Sequence, residues 1–506
     1  MGTLNHMFSK PGVICLLVLC LALAACTAAN PSVPAASKPA IALSDCQLTS
    51  PGLTASVKAQ CGVWTVLEDR ANPSGRKINL KVAVIPAVSR SPEPDALFLL
   101  AGGPGQAATE SFVALAGAFD RIEQKRDIVL VDQRGTGQSN PLTCPPSAEA
   151  GDEANLDEAA AQAQYDQALK DCLAQLKGDP RFYTTSVFAQ DLDEVRAALG
   201  YAKVDLYGVS YGTRAAQTYL RLYPDRVRGV ILDGVVPQTQ ALGTDVARDA
   251  QRALDLIFAR CAASADCNQA FPNVRTEFDA LLAALDKAPV AVTLAHPVTG
   301  KRTELRITRS TVVFSVRMLS YAPETVALLP LLIHTAARGN YAPLAAQALM
   351  VSQDLEQSIS AGLNASVVCA EDAPFIKADA AAQANAGTYY GDRETQQITQ
   401  LCSIWPRGDI PADFKQAVSS SAPVLLLSGE ADPVTPPANA ELVAQTLPNG
   451  LRLVAPGQGH NVVFRGCLPR VVADFITSGQ TQGLDTACVQ DIKPMPFFVD
   501  FTGTKP

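Results

Sequence analysis

The stretch Asp205 to Arg214, DLYGVSYGTR, sets Ser210 between Gly208 and Gly212. A β-prone apolar run leads into it and a helix-compatible run leads out, the setting in which a serine can stand exposed on a sharp strand-to-helix turn. Such a turn brings strand and helix close together, and glycines on either side remove the Cβ atoms that would collide. The five-residue pattern alone is common, so its partners must decide whether Ser210 is a nucleophile.

A serine hydroxyl needs a general base, most often histidine, oriented by a carboxylate. The chain has four histidines. His6 lies in an N-terminal apolar segment, His296 in a hairpin-like stretch, LAHPVTGKR, and His334 within LLPLLIHTAARG, where a core or helix-surface role is expected. His460 remains, in the Gly-rich loop APGQGHNVV that follows the last apolar strand-like run. The acid is expected between serine and histidine in the chain. Asp432 meets this in LLLSGEADPVTPP, with Glu430 as runner-up in the same turn and Pro433 and Pro436 stiffening the loop.

The oxyanion formed by attack on a carbonyl requires two donors, usually backbone N–H groups. One is the amide of Tyr211, the residue after the nucleophile. The other is expected from LLAGGPGQ (99–106), where Gly102, Gly103 and Gly105 let the backbone approach a substrate; Gly103 is favoured and Gly102 is next.

These loops follow runs rich in Val, Ile and Leu at 78–87, 96–103, 127–135, 203–210, 227–234, 423–430 and 450–457. Continuous apolar runs suit strands covered on both faces. Helical stretches lie between them, such as 184–200, where Phe188, Leu192, Val195 and Leu199 recur at helical spacing before Gly200. The alternation implies an α/β fold with a mostly parallel sheet flanked by helices. It lapses between about 238 and 420, where Ala- and Leu-rich helical periodicity predicts an inserted, mainly helical cap domain. The expected organisation is therefore a signal peptide at 1–25, a tether at 26–45, the core at 46–237, the cap at 238–420 and the rest of the core at 421–506.

Hydrophobic residues make up 48% and charged residues 18% of the 506, a globular composition. The net charge of −8 and the lack of a basic run argue against nucleic acid as a partner. At the N-terminus, Lys10 precedes the apolar stretch 13–26, short for a membrane span, and Leu23-Ala24-Ala25-Cys26 resembles a bacterial lipobox. Cys26 is then the lipidation site, and plain cleavage after an Ala-x-Ala-type site is the alternative. The Ala-, Pro- and Ser-rich coil that follows would hold the protein roughly 25 Å from a bilayer. Of thirteen cysteines, Cys15, Cys20 and Cys26 fall in this region and ten remain. Paired as sequence neighbours they give Cys46/Cys61, Cys144/Cys172, Cys261/Cys267, Cys369/Cys402 and Cys467/Cys488, one of many connectivities that ten cysteines allow. No pair has zinc-site spacing, and neither a metal nor an organic cofactor is expected.

The motifs GGPG, DQRGTGQS (132–139), GVSYGTR (208–214), SGEADPVTP (428–436) and GQGHNV (458–463) together resemble the prolyl iminopeptidase and tripeptidyl aminopeptidase branch of the α/β-hydrolases. The tail FITSGQTQGLDTAC resembles the secreted tripeptidyl aminopeptidase-like members, and the resemblance covers roughly 60–490. It implies an α/β-hydrolase fold with a cap, and a serine exopeptidase acting on short peptides with a free N-terminus. Ala101 stands where many prolyl iminopeptidases have histidine, so no contact of that histidine carries over. Asp132 and Arg134 read as structural support beside the site. The stretch SVVCAEDAPF (366–375) resembles the end of the cap, and it implies Glu371 and Asp372 as acceptors for the substrate ammonium.

The resulting expectation is an exported, lipid-anchored serine hydrolase with Ser210, His460 and Asp432 as triad and Gly103 and Tyr211 as oxyanion donors. An esterase or amidase acting on small molecules is the alternative within hydrolases, and a non-catalytic peptide-binding lipoprotein is the alternative from another class. Oligomeric state, fragment length and proline preference are left open.

Overall fold

In the computed structural model, residues 41–143 and 158–504 are described. The strands among them are β1 (Ser44–Thr49), β2 (Ser56–Leu67), β3 (Lys77–Ile85), β4 (Ala96–Leu100), β5 (Ile128–Val131), β6 (Val204–Val209), β7 (Val227–Asp233), β8 (Val290–Ala295), β9 (Arg302–Ile307), β10 (Val424–Gly429) and β11 (Gly450–Ala455). All but β8 and β9 form one sheet, in the order β1-β2-β3-β5-β4-β6-β7-β10-β11. From β5 to β11 the neighbours are parallel, while β1, β2 and β3 are antiparallel and β3 joins β5 antiparallel.

The continuous apolar runs account for the centre of this sheet, since β4, β5, β6 and β10 are buried at every position. One face is covered by Phe188, Leu192 and Val195 of helix Thr185–Leu199 and by Ala216, Tyr219 and Leu220 of helix Tyr211–Leu222. Phe112, Phe119, Val471 and Phe475 cover the other. Each such Val, Leu or Phe side chain stabilises the fold by about 1.5–3 kcal/mol when fully buried. Helix Thr185–Leu199 stops at Gly200, whose φ of 89° is the left-handed cap conformation that glycine adopts without steric cost.

Two features depart from the expected organisation. Strands β1 and β2 escape the apolar-run criterion because their burial is mixed, β1 at the sheet edge and β2 next to it, and β1 begins at Ser44, so the last residues assigned to the tether belong to the sheet. The hydrophobic stretch 13–26, which ends at Cys26, and residues 27–40 of the tether lie outside the described residues. No helix among the described residues is long and apolar enough to cross a membrane.

Between β7 and β10 the chain forms the hairpin β8–β9 and a set of helices, including Val246–Ala263, Val274–Lys287, Arg309–Leu319, Ala361–Glu371 and Arg393–Ile404. This region has a core of its own, with Leu254, Phe258, Phe278, Val316 and Leu332 buried together. Disulfides join Cys46 to Cys61, Cys261 to Cys267, Cys369 to Cys402 and Cys467 to Cys488, four of the pairings expected between sequence neighbours. For the fifth, Cys144 lies outside the described residues.

Arg134 is buried, and its guanidinium donates two hydrogen bonds to the Asp191 carboxylate at 2.6 and 2.8 Å and further ones to the carbonyls of Leu67, Glu68 and Phe182. Asp132 is not its partner; that carboxylate accepts from Thr109 N and Oγ1 and from Gln138 N, tying the loop after β5 to helix Ala108–Leu115. Both residues are therefore structural supports.

The turn from β6 into helix Tyr211–Leu222 depends on close backbone contact. A Cβ at Gly212 would stand 2.1 Å from the Leu100 carbonyl oxygen of β4, and one at Gly208 would stand 2.4 Å from the Gly212 oxygen. Gly212→Ala is accordingly expected to cost about 1–3 kcal/mol. The readout is a lowered urea midpoint at constant slope; an unchanged midpoint would mean that helix and strand do not meet there.

Candidate active site

Ser210 is the residue between β6 and helix Tyr211–Leu222 and has φ 55° and ψ −123°, a conformation that a residue with a Cβ seldom adopts. Its amide donates to the Asp233 carbonyl at 2.9 Å, and its carbonyl accepts from Thr213 N at 2.9 Å and Thr213 Oγ1 at 2.6 Å. Thr213 Oγ1 in turn accepts from Val236 N. The turn is thus pinned to the end of β7 on one side and to its own helix on the other, which offsets the backbone strain.

Asp432 and His460 follow β10 and β11 and meet in space. His460 Nδ1 lies 2.8 Å from Asp432 Oδ2, with both side chains almost completely enclosed. Asp432 also accepts from Val434 N, Thr435 N and Thr435 Oγ1. Burial pushes the Asp432 pKa up, but the His460 ring and the Thr435 donors outweigh it, so the group sits below its ordinary value as a carboxylate. With Nδ1–H donated to Asp432, Nε2 is the basic ring nitrogen. Glu430, the alternative acid, instead accepts from Gly457 N on the exposed side of the loop.

The histidine loop is held by residues that sequence reasoning missed. Asp233, the last residue of β7, accepts from Val462 N, Val463 N and Tyr207 Oη. His460 N donates to the Tyr321 carbonyl at 2.7 Å, and the Tyr321 ring meets the imidazole edge-on at 5.3 Å. Thr435 Oγ1 lies 3.0 Å from His460 Nδ1. A Cβ on Gly234 would stand 2.9 Å from His460 Cε1, so the imidazole lies over the residue after Asp233, whose carbonyl holds the Ser210 amide. An acid closing an apolar run was a readable signal for Asp233; nothing local marked Tyr321. The other two histidines among the described residues lie apart: His296 Nδ1 accepts from Val298 N in the β8–β9 turn, and His334 pairs with Glu277.

The loop after β4 covers the serine. A Cβ at Gly102 would lie 3.1 Å from Ser210 Cβ, and Gly103 and Gly105 have φ of 105° and 117°. Tyr211 opens its helix, so its N–H has no intrahelical acceptor. The two candidate oxyanion donors thus flank Ser210 from separate elements.

Glu371 and Asp372 require a correction, because neither carboxylate faces an open site. Both are fully enclosed. Glu371 accepts from Thr185 N at 2.6 Å and Thr185 Oγ1 at 2.8 Å, and Thr185 Oγ1 lies 2.6 Å from Tyr211 Oη. Asp372 meets Arg214 Nη1 at 3.0 Å and Lys415 Nζ at 2.9 Å and accepts from Leu242 N. Burial pushes the Glu371 carboxyl up to about 7 against the pull of Arg214, while Arg214 and Lys415 hold Asp372 low despite its burial. The acid pair is engaged by the helix that carries Ser210 and is not free to receive an ammonium.

A strained serine after β6, an Asp-His pair after β10 and β11 and a Gly-rich loop after β4 place the site at the carboxyl edge of a parallel sheet. The alpha/beta hydrolase fold family matches residues 95–466. The chain belongs to that family. Over 485 residues it is 26% identical to serine protease Hip1 of Mycobacterium tuberculosis, covering 88% of this chain and 90% of that protein. Over 189 residues it is 33% identical to the tripeptidyl aminopeptidase of Streptomyces coelicolor, 35% of each chain. Among solved structures, proline iminopeptidase of Mycobacterium smegmatis aligns with a TM-score of 0.41 at 16% identity, over 82% of this chain and 98% of that one.

As an α/β-hydrolase, the protein should trade stability for the shape of its serine turn. Ser210→Gly is expected to be inactive yet more stable by about 1 kcal/mol, because glycine adopts a positive φ freely. A loss of stability in chemical denaturation would show the turn to be unstrained. Asp432→Asn is expected to lower kcat by about 10^4-fold. Its cost in Tm should be fully present well above the ordinary Asp value of 3.8 and narrow as the pH falls below that value toward the lowered folded-state one, since a depressed carboxylate contributes this stability only while ionised. A gap that does not narrow at all below the ordinary value would contradict that linkage.

Proposed function

We propose that the protein is an exported serine exopeptidase that hydrolyses short peptides near a free N-terminus. The observations that carry the catalytic part are the enclosed Asp432–His460 pair, whose imidazole lies over Gly234, and the strained Ser210, whose amide is held by the neighbouring Asp233 carbonyl. In this reading Ser210 Oγ attacks the peptide carbonyl and His460 Nε2 takes the hydroxyl proton. Asp432 keeps the ring in the correct tautomer and stabilises the imidazolium. The tetrahedral oxyanion accepts hydrogen bonds from Gly103 N and Tyr211 N. His460 then gives its proton to the leaving amine, the acyl-enzyme remains on Ser210, and water releases it by the reverse sequence.

Peptide as substrate is supported by the likeness to Hip1 and to tripeptidyl aminopeptidase. The helical region between β7 and β10 supports a restricted entrance, which suits short chains. Export is supported by the disulfides, since such bonds persist in oxidising compartments. Anchoring through a lipid on Cys26 rests on the sequence alone.

The test is mass spectrometry of products from a mixture of free and N-acetylated peptides, with Ser210→Ala as control. Short N-terminal fragments from free peptides only, lost in the variant, are expected, and their length reports how many residues leave. Cleavage of both sets equally would refute the requirement for a free amine. Turnover of small esters with no peptide cleaved would refute peptide as the substrate class.

A further inference from the structure

Helix Ala361–Glu371 belongs to the region inserted between β7 and β10, yet its start holds the loop after β4 and its end reaches, through Thr185 and Arg214, the helix that follows Ser210. At its start, Ser360 N donates to the Gly105 carbonyl at 2.9 Å and Asn364 Nδ2 donates to the Pro104 carbonyl at 3.0 Å. The contact is tight: a Cβ at Gly105 would stand 2.8 Å from both Ile359 Cγ2 and Ser360 O. Pro104 and Gly105 directly follow Gly103, so these bonds set the direction of the Gly103 amide.

At its end, the helix reaches the other donor. Thr185 Oγ1 has one proton and donates it to Glu371, so Tyr211 Oη donates to Thr185 and itself accepts from Gln133 Nε2 at 3.1 Å. Asp372 holds Arg214, which lies one turn further along the nucleophile helix. Between the two ends, Leu363 and Val367 pack against the Tyr211 side chain.

We propose that helix Ala361–Glu371 sets the oxyanion hole from both sides, with Asn364 positioning the Gly103 amide and Glu371, through Thr185, positioning that of Tyr211. The inserted region is then part of the catalytic apparatus as well as a restriction on entry. Neither residue touches the substrate; each is a positioning residue. The inference rests on the serine-hydrolase part of the function proposed above and is independent of whether the substrate is a peptide.

The experiment follows phosphonylation of Ser210 by a small neutral fluorophosphonate, which needs the nucleophile and the oxyanion hole but no ammonium site. Asn364→Ala removes a half-buried donor and Glu371→Gln keeps side-chain volume, so at least one folded variant is expected by circular dichroism. Each should slow phosphonylation about 10-fold or more, a fraction of the 10^2- to 10^3-fold that loss of a whole oxyanion donor causes. On the substrate found above, kcat should fall while KM changes less than about 2-fold. Affinity for a peptidyl trifluoromethyl ketone, which forms an oxyanion on Ser210, should fall in step with kcat/KM, whereas product affinity should not. Unchanged phosphonylation in both folded variants would overturn the proposal. So would a rise in KM at constant kcat for Glu371→Gln, which would return that residue to substrate binding. Absence of labelling in the wild-type protein would sink the nucleophile assignment itself, a failure distinct from either.

Discussion

Ser210 occupies a backbone conformation that L-residues avoid, and the surrounding structure serves to keep it there. The strain of such a residue is of order 1–3 kcal/mol, comparable to one or two hydrogen bonds. It is met by the Asp233 carbonyl, by two donors from Thr213 and by the absence of Cβ atoms at Gly208 and Gly212. Those constraints fix the angle at which helix Tyr211–Leu222 leaves the sheet, and with it the direction of the Tyr211 amide. Asp233 extends the same constraint to the histidine loop, because its backbone holds the serine and its carboxylate holds Val462 and Val463. One residue at the end of β7 thus ties the Ser210 turn and the His460 loop together.

Around this turn the protein buries several charges, and it does so in balanced groups. Arg134 has Asp191 and three carbonyls; Arg214 has Asp372, which also has Lys415. A buried ion gains little net stability even when paired, but loss of one partner costs about 3–5 kcal/mol. Such groups therefore act less as sources of stability than as fixed points of geometry. The Arg134 group sits behind the loop after β5, and the Arg214 group sits where the inserted helices meet the nucleophile helix.

The sheet was legible where strands are buried on both faces, because a short unbroken apolar run that ends in a turn suits a covered strand far better than a surface helix or a loop. It was illegible at β1 and β2, where strands near one end of the sheet mix polar and apolar residues and give no continuous run. Ser210, Asp432 and His460 were legible because each follows such a run and the other histidines sit in unsuitable contexts. Asp233 and Tyr321 were not singled out, since the partners they hold in the histidine loop are far away in sequence, and Thr435, which bonds Asp432 three residues before it, carries no mark of its contact with His460. Glu371 and Asp372 show how resemblance can name the right residues and misjudge their partners: two adjacent acids look like a binding site in sequence, but which cations reach them is decided by tertiary packing.

The spans closed by the observed disulfides are short, with separations of 15, 6, 33 and 21 residues, and no two overlap. A chain entering an oxidising compartment N-terminus first would present both cysteines of each pair before the first cysteine of the next. Pairing in order of emergence is then already the native pairing among these eight, and thiol exchange, which takes seconds to hours, has no crossed bonds to undo. If the chain is exported, formation of these four bonds should accordingly lean on an oxidase and scarcely on an isomerase.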